Sequence, residues 1–192
     1  MIYTQKIKNA IKFAIKTHDV YQKQTRKGKE IAYITHPLTV GIILAKAGAS
    51  EEVICAGILH DTIEDSVNEK KVSVEMLDER FGQKVAALVL NVTEQDKKLA
   101  WEQRKIQALE HIKSFSDDSL LVKSADIISN MSELLDDYAR HGEDVFQRFG
   151  APKEKVLLYQ LKTINKIIMQ WSENPLVADL QNLTENLEKI SN

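Results

Sequence analysis

The chain has 192 residues, 43% of them hydrophobic and 28% charged, with a formal net charge of −2. That length carries one domain with a substantial core, or at most a compact pair. The near-neutral charge offers no electrostatic case for a nucleic-acid polymer as partner, so any phosphate binding falls to local basic clusters. No apolar run approaches the roughly 18 residues of a membrane span, and Lys6, Lys8, Lys12 and Lys16 interrupt the apolar residues that a secretory signal would need. The single Cys55 sits in an apolar stretch and suits a reducing compartment. The expectation is a cytoplasmic protein without a membrane partner; no pattern fixes an oligomeric state.

Only 7 Gly and 3 Pro punctuate the chain, and apolar residues recur at three- and four-residue intervals, which predicts an all-α, compact multi-helix bundle. Helices are predicted over 2–21, 37–47, 51–64, 74–80, 83–92, 101–113, 120–138, 153–171 and 176–190. Pro37 opens the second of these, with His36 held outside the α region just before it. Gly48 closes that helix, Ser50 caps the next, and Ser119 caps the one that carries Asp126. Polar stretches over 22–30, 66–71 and 94–98 read as loops, the first bearing Arg26, Lys27 and Lys29 shortly before His36. One domain over 1–192 is expected, with a core over about 5–135 and C-terminal helices over 153–190 packed on it.

The run His60-Asp61-Thr62-Ile63-Glu64-Asp65 interrupts an otherwise apolar helix with five groups able to bind a metal or move a proton. Unpaired polar groups are costly there, and clustered carboxylates repel one another unless a cation sits among them. A divalent metal is the simplest neutraliser. On a helix, His60 and Glu64 share a face, as do Asp61 and Asp65. Downstream, Asp126 interrupts another apolar helix, with Asn130 one turn on from it.

The ordered pattern of His36, then His60-Asp61, then Asp126 resembles the HD-domain metal-dependent phosphohydrolases. More locally, Arg26-Lys27-Gly28-Lys29, Tyr33-Ile34-Thr35-His36-Pro37, His60 through Asp65, and Lys123-Ser124-Ala125-Asp126 with Asn130-Met131 are similar to the hydrolase domain of the bifunctional RelA/SpoT enzymes and to the small alarmone hydrolases. A four-part ordered match is far more specific than one motif alone. The resemblance implies that His36, His60, Asp61 and Asp126 ligate one divalent ion, manganese in that family. It further implies that Glu64 and Asp65 are catalytic, that Arg26 and Lys27 meet the nucleotide, and that Asn130 lies near its sugar. The mixed nitrogen and oxygen donors suit manganese or iron and tolerate zinc, with magnesium also open.

The implied reaction is removal of the 3′-pyrophosphate from guanosine tetra- or pentaphosphate by a metal-activated water, on a small-molecule substrate. Two alternatives stay open: another HD-type nucleotide phosphohydrolase, acting on a monophosphate or triphosphate, and a non-catalytic nucleotide-binding module. Ile127 and Ser132, where the alarmone hydrolases usually carry basic residues, favour keeping the first. Intact Glu64 and Asp65 argue against the second. His18, His111 and His141 read as structural or surface residues, Trp101 and Trp171 as core or lid packing. Lys153, Lys155 and Tyr159 share one helix and read as a solvated face, with closure over a phosphate as the rival reading.

Overall fold

The computed structural model describes residues 3–94 and 99–191. Ile2, at the start of the first predicted helix, and residues 95–98 of the last predicted loop lie outside them. Among the described residues the chain is helical, and its one extended pairing is an isolated antiparallel bridge between Thr25 and Ala32. Backbone contacts gather into two compact units, 1–93 and 94–192.

The first unit opens with α1 (Gln5–Ile15), capped by the Thr4 hydroxyl, which accepts from the Ile7 amide at 3.3 Å. The predicted helix over 2–21 does not continue in α form. Residues Lys16–Tyr21 form a π-turn in which the Gln22 amide reaches back five residues to the Thr17 carbonyl at 3.0 Å. That wider turn carries the adjacent Thr17 and His18 into the interior. Next come α2 (Thr35–Lys46) and α3 (Glu51–Leu59). Gly48, at φ +76°, closes α2, with amides at 48 and 49 returning to the Ala45 and Leu44 carbonyls, and the Ser50 hydroxyl caps α3, both as predicted.

His36 is where the structure corrects the sequence reading. Instead of lying outside the helix ahead of Pro37, it occupies the first turn of α2, with its amide on the Tyr33 carbonyl at 3.0 Å. A first-turn position has no intrahelical acceptor for its amide, so a Pro without an N–H costs no bond there.

α2 and α3 approach so closely that side chains would not fit at their contact. A Cβ on Gly57 would lie 2.2 Å from Leu44 Cδ1, and one on Gly41 would lie 2.7 Å from Ile58 Cγ1. This contact sets the distance between His36 and His60. α1, α5 (Val74–Phe81) and α6 (Gln83–Val92) complete the unit, and Ala14, Leu44, Val53, Leu59, Leu77 and Val89 are wholly buried in it. A full burial of one such Leu contributes about 1.5–3 kcal/mol.

The predicted helix over 51–64 also divides. It stops at Leu59, turns through His60 and Asp61 (φ −92°, ψ −3°), and resumes as the single turn α4 (Thr62–Asp65). Side chains take over carbonyls that another helical turn would have used: His60 Nδ1 meets the Gly57 carbonyl at 2.8 Å, and the Thr62 hydroxyl donates to that of Leu59 at 2.6 Å.

The second unit holds α7 (Trp101–His111), α8 (Asp117–His141), α9 (Lys153–Gln170) and α10 (Val177–Ser191). Its core joins Leu120, Ile127 and Leu134 of α8 to Leu157, Ile164 and Ile167 of α9 and Leu180 and Leu187 of α10, with Trp101 and Trp171 packed against it. The cap of α8 is Ser116, not Ser119: the Ser116 hydroxyl accepts from the Ser119 amide at 3.3 Å, and Ser119 is buried inside the first turn. Asp117 and Asp118 at that end, with Arg140 and His141 at the other, complement the helix dipole, so the helix extends beyond both predicted limits.

Candidate metal and active site

In the first unit three predicted ligands meet. His60 Nε2 lies 3.2 Å from His36 Nε2 and 3.1 Å from Asp61 Oδ2, and His36 Nε2 lies 3.7 Å from the same oxygen. Both imidazoles are buried. The Gly57 carbonyl can only accept, so His60 carries a proton on Nδ1 and turns its Nε2 toward Asp61 and His36. This is the arrangement that holds a metal-ligating His in orientation and tautomer. A ring nitrogen lone pair and a carboxylate oxygen at 3.1 Å repel when both are acceptors, and a cation between them reverses the sign. The donor set fits a divalent ion, with two imidazoles and a carboxylate and no thiolate.

Tyr33 also holds the carboxylate, donating its hydroxyl to the same Asp61 Oδ2 at 2.5 Å. Burial, followed by the charges of Asp61 and Asp65, pushes the phenol far above its usual range, so it remains a donor. The Arg26 guanidinium lies over the Tyr33 ring, 5.4 Å from its centroid, which places one predicted substrate residue beside the donor cluster. Lys27 is exposed in the same loop. Glu64 and Asp65 are half-buried on α4, and Asp65 Oδ2 accepts from the Gln24 side-chain Nε2 at 2.9 Å.

Asp126 and Asn130 belong to the second unit. Asp126 is buried on α8, where Lys123 Nζ donates to its Oδ2 at 2.8 Å and Asn130 Nδ2 to its Oδ1 at 2.6 Å. Asn130, predicted near a sugar, thus orients the acid one turn before it. Lys153 pairs with Glu143 at 2.7 Å and Lys155 with Glu102, while Tyr159 is buried against Trp101. His111 and His141 are exposed, as expected. Gln24, Tyr33 and Lys123 are functional positions that the sequence alone did not single out. Tyr33 and Lys123 stand inside quoted motifs, so their positions were visible although their bonds were not.

A sequence profile of the HD domain matches residues 10–156. The chain belongs to the HD domain family. It is similar to the zebrafish (Danio rerio) guanosine-3′,5′-bis(diphosphate) 3′-pyrophosphohydrolase MESH1, 38% identical over 127 residues that cover 65% of this chain and 66% of that protein. Against the bifunctional (p)ppGpp synthase/hydrolase SpoT of Escherichia coli K12, identity is 35% over 121 residues, 60% of this chain and 16% of that one. The matched region therefore spans just under two thirds of the short relative and a small part of the long one. Among solved structures, a metazoan ortholog of SpoT described as hydrolysing ppGpp superposes with a TM-score of 0.73 at 25% identity, covering 98% of this chain and 94% of the other. Membership of the HD family implies a divalent metal, and the His36, His60 and Asp61 donors of this HD domain fit one. Among the described residues no helix is long and apolar enough to cross a membrane.

Proposed function

We propose that this HD domain is a divalent-metal phosphohydrolase that removes the 3′-pyrophosphate from guanosine tetra- or pentaphosphate. The carrying observation is the meeting of His36, His60 and Asp61 within 3.7 Å in a chain similar to 3′-pyrophosphohydrolases. Asp126 is proposed as the fourth ligand and manganese as the ion, in line with the resemblance and with the absence of thiolate from the donor set. An ion so held supplies Lewis acidity toward the phosphoryl oxygen and the attacking water.

The chain's own groups do the rest. Glu64 and Asp65 orient water and move protons, on side chains that leave α4 about 100° apart and so take different tasks. Arg26, stacked on Tyr33, presents a planar guanidinium to base or phosphate, and Lys27 adds a point charge. Asn130 fixes Asp126 and reaches the sugar edge. The profile match across 10–156 supports treating 1–192 as one HD-type domain. A free Cys55, buried in α3, is compatible with the reducing cytoplasm we propose.

A second reading has an observation of its own. Ile127, next to the proposed fourth ligand, is buried rather than basic and solvent-facing, which favours another HD-type nucleotide phosphohydrolase. Metal-free protein supplied with manganese and a panel of guanosine and adenosine nucleotides separates the two. Release of pyrophosphate from the 3′ position alone is the expected result. Phosphate or triphosphate release from 5′-nucleotides installs the second reading, and tight binding without any product installs a non-catalytic module.

A further inference from the structure

Among the described residues Gln24 makes four hydrogen bonds that tie together three parts of the first unit. Its amide N–H donates to the His18 carbonyl at 2.9 Å and its carbonyl accepts from the Tyr33 amide at 2.9 Å. Its side chain lies between His18 Nδ1, at 3.0 Å, and Asp65 Oδ2, at 2.9 Å. The direction of the side-chain bonds is forced. An ionised carboxylate only accepts, so the Gln24 NH₂ faces Asp65, its Oε1 faces His18, and His18 must donate from Nδ1.

That leaves His18 Nε2 as a bare acceptor. The ring is wholly buried and Nε2 has no hydrogen-bond partner among the described residues. An orphaned buried nitrogen is a cost the fold has no packing reason to accept, since an apolar side chain would fill the space without it. The ring also lies against Tyr33, with centroids 5.0 Å apart, and the Tyr33 hydroxyl is the donor to Asp61. The π-turn over Lys16–Tyr21, a rare backbone form frequently found at functional sites, is what carries His18 inward.

We propose that Gln24, held by His18 acting as a neutral Nδ1–H donor, is a positioning residue that fixes the Asp65 carboxylate for its part in the reaction. This rests on the reading of Asp65 under the proposed function. Gln24 touches no reacting atom; it acts by removing the rotational freedom of Asp65, as Tyr33 does for Asp61. The loss on its removal falls on turnover, because the nucleotide is held by other groups.

Steady-state kinetics of Gln24→Met with manganese and guanosine tetraphosphate read this directly. The expected outcome is a kcat lowered about tenfold with KM changed less than about twofold. Combining Gln24→Met with Asp65→Asn should cost nothing beyond Asp65→Asn alone, because the two substitutions remove one function. His18→Phe should lower kcat in the same direction, and His18→Asn, which keeps an N–H donor near the Nδ1 position, should recover most of that loss. Unchanged kcat in Gln24→Met, or full additivity with Asp65→Asn, overturns the proposal while leaving the reaction in place. If the wild type turns over no nucleotide, the functional reading falls and the imidazole ¹⁵N spectrum of His18 decides the rest. A neutral Nδ1–H ring whose signals move in Gln24→Met supports the clamp; an Nε2–H ring overturns it.

Discussion

The two carboxylates proposed to share an ion, half-buried Asp61 and buried Asp126, are held in opposite ways. Asp126 sits on an unbroken helix and accepts from two residues of that helix, the Lys123 ammonium at 2.8 Å and the Asn130 side-chain amide at 2.6 Å. Asp61 sits at a break between α3 and α4, and the break turns its carboxylate toward two imidazoles. Along α8 the acid gains partners from neighbouring turns without any change in the backbone. Gathering several donors requires the backbone to leave its regular path. The cost appears in the first unit as a helix interruption, a π-turn and a glycine contact, features absent from the described part of α8.

The largest effect expected is at Asp61. Asp61→Ala should abolish metal-dependent turnover, and metal uptake followed alongside it should fall as well; retained full activity breaks the contrast, since the cluster would then be a packing device. Next come Glu64→Gln and Asp65→Asn, each expected to lower kcat by roughly 10²-fold with metal still bound. Arg26→Ala should do the reverse, raising KM more than it lowers kcat, because the stacked guanidinium holds the nucleotide rather than the water. Gly57→Ala sharpens the point about the backbone. With Leu44 Cδ1 only 2.2 Å from the added methyl, it should destabilise the fold by about 1–3 kcal/mol in denaturant titration and widen the His36–His60 distance.

A smaller effect belongs to His18. Burial, only partly offset by its bond to Gln24, lowers its pKa below the ordinary 6.5. The unfolded chain therefore takes up a proton that the folded one refuses. The stability from a neutral His18 is complete above about pH 6.5 and is lost as pH falls below it. Thermal melts of His18→Phe should show a flatter decline over that window than wild type; an identical slope shows the decline comes from other groups.

The amphipathic helices were legible in the sequence, and α5 and α6 begin where their apolar periodicity does. Their interruptions were not. Nothing in the spacing of Lys16–Tyr21 distinguishes a π-turn from a continuing α-helix, because the choice depends on where Thr17 and His18 pack. Likewise the run from Glu51 to Glu64 keeps helical periodicity through the break, which is made by side-chain bonds from His60 and Thr62 to carbonyls. The metal-binding residue types were readable because chemistry restricts them to His and acids. The groups that hold them, Gln24, Tyr33 and Lys123, are ordinary polar residues whose partners exist only after folding.

Asp126 is proposed to complete the donor set begun by His36, His60 and Asp61. That completion is tested most directly by manganese stoichiometry and affinity in wild type and in Asp126→Asn, measured on protein stripped of metal and checked for an intact helical signal. One tightly held ion per chain is expected in the wild type, with at least a tenfold weaker affinity in Asp126→Asn. Unchanged affinity in a folded Asp126→Asn would contradict it.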